Sequence, residues 1–345
     1  MSDRREPFGS TPDGQEVERY VLRHGDVEVA VLTYGAVLQS VRTPDLRGAV
    51  TDVALGYDDL AGYLADETYV GAVVGRFGNR IADGRFVLDG VEHVLPQNHG
   101  TSCLHGGPEG FHTKVWSARE VPGGVELTLT SPDGDMGFPG ELTATVTYVL
   151  DADGLSLSYR AETDRPTVVN LTNHAYWNLA GAGTVEDHLL ELSASRFVAV
   201  DERLIPTGIA PVEGTPMDFR GGRRVGERLR EGTEQLQHAQ GYDHAWLPDG
   251  EGMRPIARLT DPSSGRVLEV LTDQPSVQFY SGNFLDGSVL GRGGRSYRQG
   301  DGLCLETQHL PDSPNHPEFP STVLRPGELY ASTTTFRFGT TGARR

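Results

Sequence analysis

The sequence predicts an all-β protein, a large antiparallel β-sandwich with few short helices, on three observations. Short runs alternate apolar and polar side chains at the strand period. Turn residues separate them, drawn from 44 glycines and 21 prolines in 345 residues. Long helical patterns are missing, and parallel strands need crossovers of about a dozen residues, usually helical, so the strands should pair antiparallel.

Taken in order, residues 29–34 (VAVLTY) read as the first clear strand, and DLRG at 45–48 as a turn. DDLAGYLA at 58–65 is a short helix candidate. The runs 125–130 (VELTLT), 142–150 (LTATVTYVL) and 155–161 (LSLSYRA) follow, the last two joined by DADG at 151–154 as a hairpin. GRRVGERLRE at 222–231 is the second helix candidate. DPSSG at 261–265 then leads into the strand 267–272 (VLEVLT). The Gly-rich stretches 221–226 and 291–294 are too short to be linkers, so one domain is expected over 1–345, with a polar tail fraying after about residue 338.

The charge balance narrows the function. A net charge of −18 repels nucleic acid and anionic lipid, and a neutral small molecule fits better as partner. Of 30 basic side chains only Lys114 is a lysine, which leaves Schiff-base chemistry a single candidate. Two cysteines, Cys103 and Cys304, far apart in sequence, make neither a disulfide framework nor a Cys-rich zinc site. The polar N-terminus and the absence of any run of about 18 apolar residues predict no membrane association and a cytoplasmic location.

Several clusters could carry chemistry. In NLTNHAYWNL (170–179), a regular strand would put Asn170, Thr172, His174, Tyr176 and Asn178 on one face, opposite Leu171, Ala175, Trp177 and Leu179. LCLETQ (303–308) likewise sets Glu306 and Gln308 opposite Leu303 and Leu305, and VQFY (277–280) sets Gln278 and Tyr280 opposite Val277 and Phe279. Turn-like segments add Asn79 and Arg80 in GRFGNRI (75–81), His105 before a glycine pair in CLHGG (103–107), and Asp243 and His244 in GYDHAW (241–246). Singly, each has a structural reading: a strand histidine is often only packed, and an Arg beside an Asn in a turn is usually solvated. Together, aromatic, amide and carboxylate groups suit a polyhydroxylated ligand with apolar ring faces.

These segments, in this order and with LETQHLPDSPNHPEFPST (305–322), TPMDFR (215–220) and QFYSGN (278–283), resemble the aldose 1-epimerase (galactose mutarotase) family. The resemblance spans most of the chain. It implies a galactose mutarotase-like β-sandwich holding a free hexose in an open cleft, with Glu306 as catalytic base and His174 as catalytic acid. His105, Arg80, Asn79, Asp243 and Gln278 correspond to positions that hold the sugar. Trp177 stands where Phe is more usual, and His316 lies in a loop that varies.

The implied reaction removes a proton from the C1 hydroxyl and delivers one to the ring oxygen, opening and reclosing the ring. No metal or other cofactor is expected, consistent with the lack of G-x-G-x-x-G, Walker or H-E-x-x-H motifs. A histidine suits the donor, since its ordinary pKa is about 6.5 and a nearby carboxylate raises its protonated fraction. The alternatives are a hexose-phosphate epimerase, a glycoside hydrolase using Asp243 and Glu306, metal chemistry on His105, His174, Glu306 and His309, and a sugar-binding protein without activity. The physiological aldose stays open, as does the choice between monomer and homodimer.

Overall fold

The computed structural model describes residues 4–342. Three antiparallel sheets dominate it. A five-stranded sheet runs in chain order through Arg4–Ser10, Glu16–His24, Val27–Leu32, Leu38–Pro44 and Val50–Asp52. A nine-stranded sheet has Leu142–Asp151, Gly154–Thr163, Tyr330–Thr340 and Arg266–Thr272 as neighbours at its centre. A six-stranded sheet orders Tyr176–Trp177, Leu303–Gln308, Ser276–Tyr280, Asp243–Pro248, Ala194–Val200 and Pro206–Pro211.

The predicted hairpin across 142–161 forms with Asp151 opposite Gly154. Its alternation is the burial pattern: Leu142, Ala144, Val146, Tyr148 and Leu150 point inward, while the threonines between them do not. One continuous core takes Val29 and Val31 from the five-stranded sheet, Leu157 and Val270 from the nine-stranded one, and Val277, Phe279, Leu303 and Leu305 from the third. Each such side chain contributes about 2 kcal/mol when buried. This core fixes the far face of the strands that carry Glu306 and Gln278.

The helix expected at 58–65 appears as Leu60–Leu64, capped by Asp59, whose side chain accepts from the Gly62 N–H. The second helix expectation is corrected. Over 222–231 the chain makes only the two-residue strand Arg223–Arg224 and turns, and the second helix lies further on at Glu234–Ala239. Gly226 explains this, because a Cβ there would lie 2.8 Å from Cβ of Glu186, and its N–H is already given to the Glu186 carbonyl. Tyr330–Thr340 is paired with Arg266–Thr272 through Thr340, close to where the tail is expected to begin fraying, and 343–345 lie outside the described residues. Among the described residues, no helix is long and apolar enough to cross a membrane.

Candidate active site

The base of the site is built on three adjacent strands. Glu306 sits directly opposite Gln278, which sits opposite Ala245 on the strand that begins at Asp243. Gln278 Nε2 donates to Asp243 Oδ1 at 2.6 Å, and Arg80 Nη2 reaches Oδ2 at 3.4 Å, so both oxygens of the Asp243 carboxylate have a donor. The Arg80–Asp243 pair is itself almost fully buried.

The opposite wall comes from irregular segments. Over 170–179 there is no single regular strand, only the short pieces Thr172–Asn173 and Tyr176–Trp177. The simple alternation therefore fails at its ends. Asn170 turns its amide to the Gly78 carbonyl and takes the His309 N–H, and Asn178 donates to the carbonyls of Gly183 and Asp301, so both serve loop architecture. His174 and Tyr176, in the middle, do line the cleft.

His105 stands on a left-handed residue (φ 52°) just before Gly106, where a Cβ would come within 2.0 Å of the Gly75 carbonyl oxygen. Only glycine permits that approach. The Asn79 N–H donates to His105 Nδ1 at 3.1 Å, which makes Nδ1 an acceptor and puts the ring proton on Nε2. Asn79 Oδ1 accepts the Arg80 N–H at 2.8 Å, so Asn79 shapes the turn and also lines the cleft.

These groups enclose about 140 Å³ of space whose lining includes Asn79, Arg80, His105, His174, Asp243 and Glu306. Gln278 lies behind this lining, holding Asp243. Sequence reasoning did not single out Glu67, Thr68, Tyr69, His99 and Phe284, which also line the walls. Phe284 is 44% exposed at the mouth and stacks on Tyr280. No motif marks these residues, which reach the cleft only through the paths of their loops.

His174 Nε2 and Glu306 Oε1 are 3.8 Å apart, and both side chains are buried. Burial pushes the His174 imidazole down to about 4, against smaller upward pulls from a backbone hydrogen bond and Asp243. Burial likewise pushes the Glu306 carboxyl well up, helped by Asp243 and opposed by Arg80. The expected rise in protonated His174 is therefore corrected: desolvation outweighs the carboxylate and favours the neutral pair. His105 is also held well below its ordinary value, first by burial and then by the neighbouring His174 and Arg80.

Donor atoms of His105, His174 and Glu306 all lie within 4.8 Å of one another, a spacing a metal ion could bridge. The chemistry of the set argues otherwise. With Nδ1 of His105 taken by the Asn79 N–H, its Nε2 carries the proton and is a donor rather than a ligand. His309 turns elsewhere: its N–H binds Asn170, and its ring is not among the cleft-lining groups.

A family model described as aldose 1-epimerase matches residues 18–337. Galactose mutarotase of Rattus norvegicus is 46% identical over 343 residues, covering 98% of this chain and 99% of that protein. Aldose 1-epimerase of Escherichia coli K12 is 41% identical over 336 residues, covering 95% and 96%. Among solved structures, an aldose epimerase homologue from C. elegans superposes with a TM-score of 0.87 at 30% identity, covering 98% of this chain and 99% of the other. A galactose 1-epimerase from Lactobacillus acidophilus gives 0.86 at 29% identity, covering 99% of each. With likeness this complete in sequence and fold, the chain belongs to the aldose 1-epimerase family.

Proposed function

We propose that this cleft takes a free aldohexose, galactose or glucose, and interconverts its α and β anomers, with Glu306 as base and His174 as acid. The observation that carries the assignment is the buried pair itself, a carboxylate and an imidazole 3.8 Å apart at one end of a polar cleft. Arg80, Asp243, His105 and Asn79 surround that pair and supply both donors and acceptors for ring hydroxyls. Gln278 supports them by holding Asp243.

The proton count explains how a dry site serves the reaction. With a closed sugar bound, the competent state is Glu306 ionised and His174 protonated. Glu306 takes the C1 hydroxyl proton and His174 gives one to the ring oxygen as the C1–O5 bond breaks. The pair is then neutral, the state that burial favours. Desolvation thus favours the ring-opened state over the ion pair that precedes it, and rotation about C1–C2 followed by reverse transfers closes the other anomer. Each positioned acid or base typically contributes about 10² to 10⁴ in rate.

On this reading the chain works in the cytoplasm as a monomer or homodimer, and its two free, buried thiols suit a reducing compartment. The test is polarimetry. Freshly dissolved α-D-galactose and α-D-glucose are followed with wild type, with Glu306→Gln and with buffer alone. Fast relaxation to an unchanged endpoint, lost in the variant, supports the proposal, and wild-type relaxation at the buffer rate for both sugars refutes it.

A further inference from the structure

The segment from Asp66 to Gly71 forms one wall of the cleft, through Glu67, Thr68 and Tyr69. It is tightly built. Asp66 Oδ1 accepts from the Thr68 N–H, the Thr68 hydroxyl and the Tyr57 hydroxyl, and Oδ2 accepts from the Val70 N–H. The Thr68 carbonyl accepts from the Tyr176 hydroxyl at 3.0 Å. Just beyond, the Gly71 N–H donates to the His174 carbonyl at 3.0 Å, and the His174 N–H donates to the Ala72 carbonyl at 2.8 Å. The backbone of this segment and that of His174 are therefore locked together.

Within it Tyr69 adopts a left-handed backbone, φ 60°, which costs a non-glycine residue about 1 kcal/mol or more and persists only where its surroundings impose it. Its ring centroid lies 4.6 Å from those of both His105 and His112, and 5.8 Å from that of His174. His105 and His174 meet edge to face at 5.2 Å. The Tyr69 hydroxyl is 3.4 Å from Asn98 Nδ2, and the Asn98 amide clamps both backbone groups of Leu104, the residue before His105. One aromatic side chain thus packs against His105 and His174 and, through Asn98, meets the turn that carries His105.

We propose that Tyr69 is a positioning residue for anomer interconversion: its ring fixes the planes of His105 and His174 and keeps water from that side of the acid. This rests on the function proposed above. The other groups facing His174 are Tyr176 two residues further along the chain, Tyr280, Cys304 and Glu306 from the adjoining sheet, and His105, with Asp243 and His112 acting through space. The Tyr69 ring packs 5.8 Å from the His174 ring, so removing it admits water there and the imidazole moves up toward its ordinary value.

Relaxation of α-D-galactose is measured across pH for the full chain as wild type, Tyr69→Phe and Tyr69→Gly. Glycine accepts a φ near 60° without strain, so Tyr69→Gly removes the ring and leaves the backbone path open to the chain. Tyr69→Phe keeps kcat within about twofold, while Tyr69→Gly loses about tenfold or more in kcat with KM changed less than about threefold. The acid limb of the Tyr69→Gly profile moves to higher pH, a change that a merely structural role would not produce. A folded Tyr69→Gly chain with wild-type kcat and acid limb, or with its whole loss in KM, overturns the role. If circular dichroism shows that chain unfolded, Tyr69→Leu is held to the same outcomes. A wild type that fails to accelerate relaxation overturns the anomer reading itself and this role with it.

Discussion

Glu306 faces His174 across 3.8 Å while its neighbour on the next strand, Gln278, is turned away to hold Asp243 at 2.6 Å. Glu306 Oε2 has no hydrogen-bond partner within the protein. The carboxyl is thus left free to exchange a proton, and the surrounding sheet restrains its backbone rather than its oxygens.

Replacing Glu306 by Gln should separate catalysis from stability. The base is lost, so kcat falls by about 10³ or more while KM stays near wild type. Burial raises the Glu306 pKa in the fold, so the carboxyl costs stability as pH rises above its unfolded value, and the neutral amide leaves thermal stability at pH 8 equal or higher. Polarimetry paired with a thermal melt reads both, and a melt lowered by several degrees would contradict this account of the burial cost.

Asp243→Asn should act mainly on binding. It keeps the shape but loses the charge that Arg80 Nη2 and Gln278 Nε2 approach. KM rises about tenfold or more, as expected when a charge-assisted contact is lost, with a smaller fall in kcat. A kcat loss exceeding the KM change would place Asp243 in the chemical step instead.

Dialysis against a chelator should leave the relaxation rate unchanged, because the proton on His105 Nε2 occupies one of the three donors that converge among His105, His174 and Glu306. Recovery of a lost rate by added zinc would show that this tautomer is not the working one.

Acid should unfold the chain through its buried histidines. Burial holds His112, His174, His188 and His244 down to about 4, and the unfolded value is near 6.5. The folded pKa is depressed, so between these values the unfolded chain binds more protons and stability falls as pH drops from 6.5 toward 4. At pH 5 each such histidine costs about 2 kcal/mol. The buried carboxyls of Glu306, Asp52 and Asp312, pushed up by desolvation, pull the other way, so a variant isolates the effect. His188 Nε2 accepts the Leu179 N–H, a role the carbonyl of a glutamine can take. Urea midpoints for His188→Gln should fall less between pH 7 and pH 5 than those of wild type, and equal falls would remove His188 from the acid response.

The strands that carry Glu306 and Gln278 were legible because each is regular, with leucine, valine or phenylalanine on its core face, so period-two counting places the polar side chains correctly. The same counting failed at Asn170 and Asn178, where the backbone breaks into two-residue pieces and the amides satisfy loop carbonyls. The helix expected at 222–231 had helical periodicity but depended on Gly226, whose place against Glu186 is a tertiary fact. Local sequence also could not give the protonation of His174, since a nearby carboxylate and burial act in opposite directions and only the fold sets their sizes. The resemblance named the acid and the base, but Tyr69 carried no sequence signal, its left-handed backbone and triple contact with imidazoles arising from three separate loops.

The two cysteines flank the two halves of the cleft, Cys304 two residues before Glu306 on the sheet and 3.5 Å from His174 Nδ1, Cys103 two residues before His105 in the turn. Both are buried and free. They make the molecule its own reporter: a thiol reagent that cannot reach either in the closed fold will label each at the rate at which its half opens. Because the chain has no other cysteine, mass spectrometry of the two peptides gives two local opening rates, one for the rigid wall and one for the loop wall.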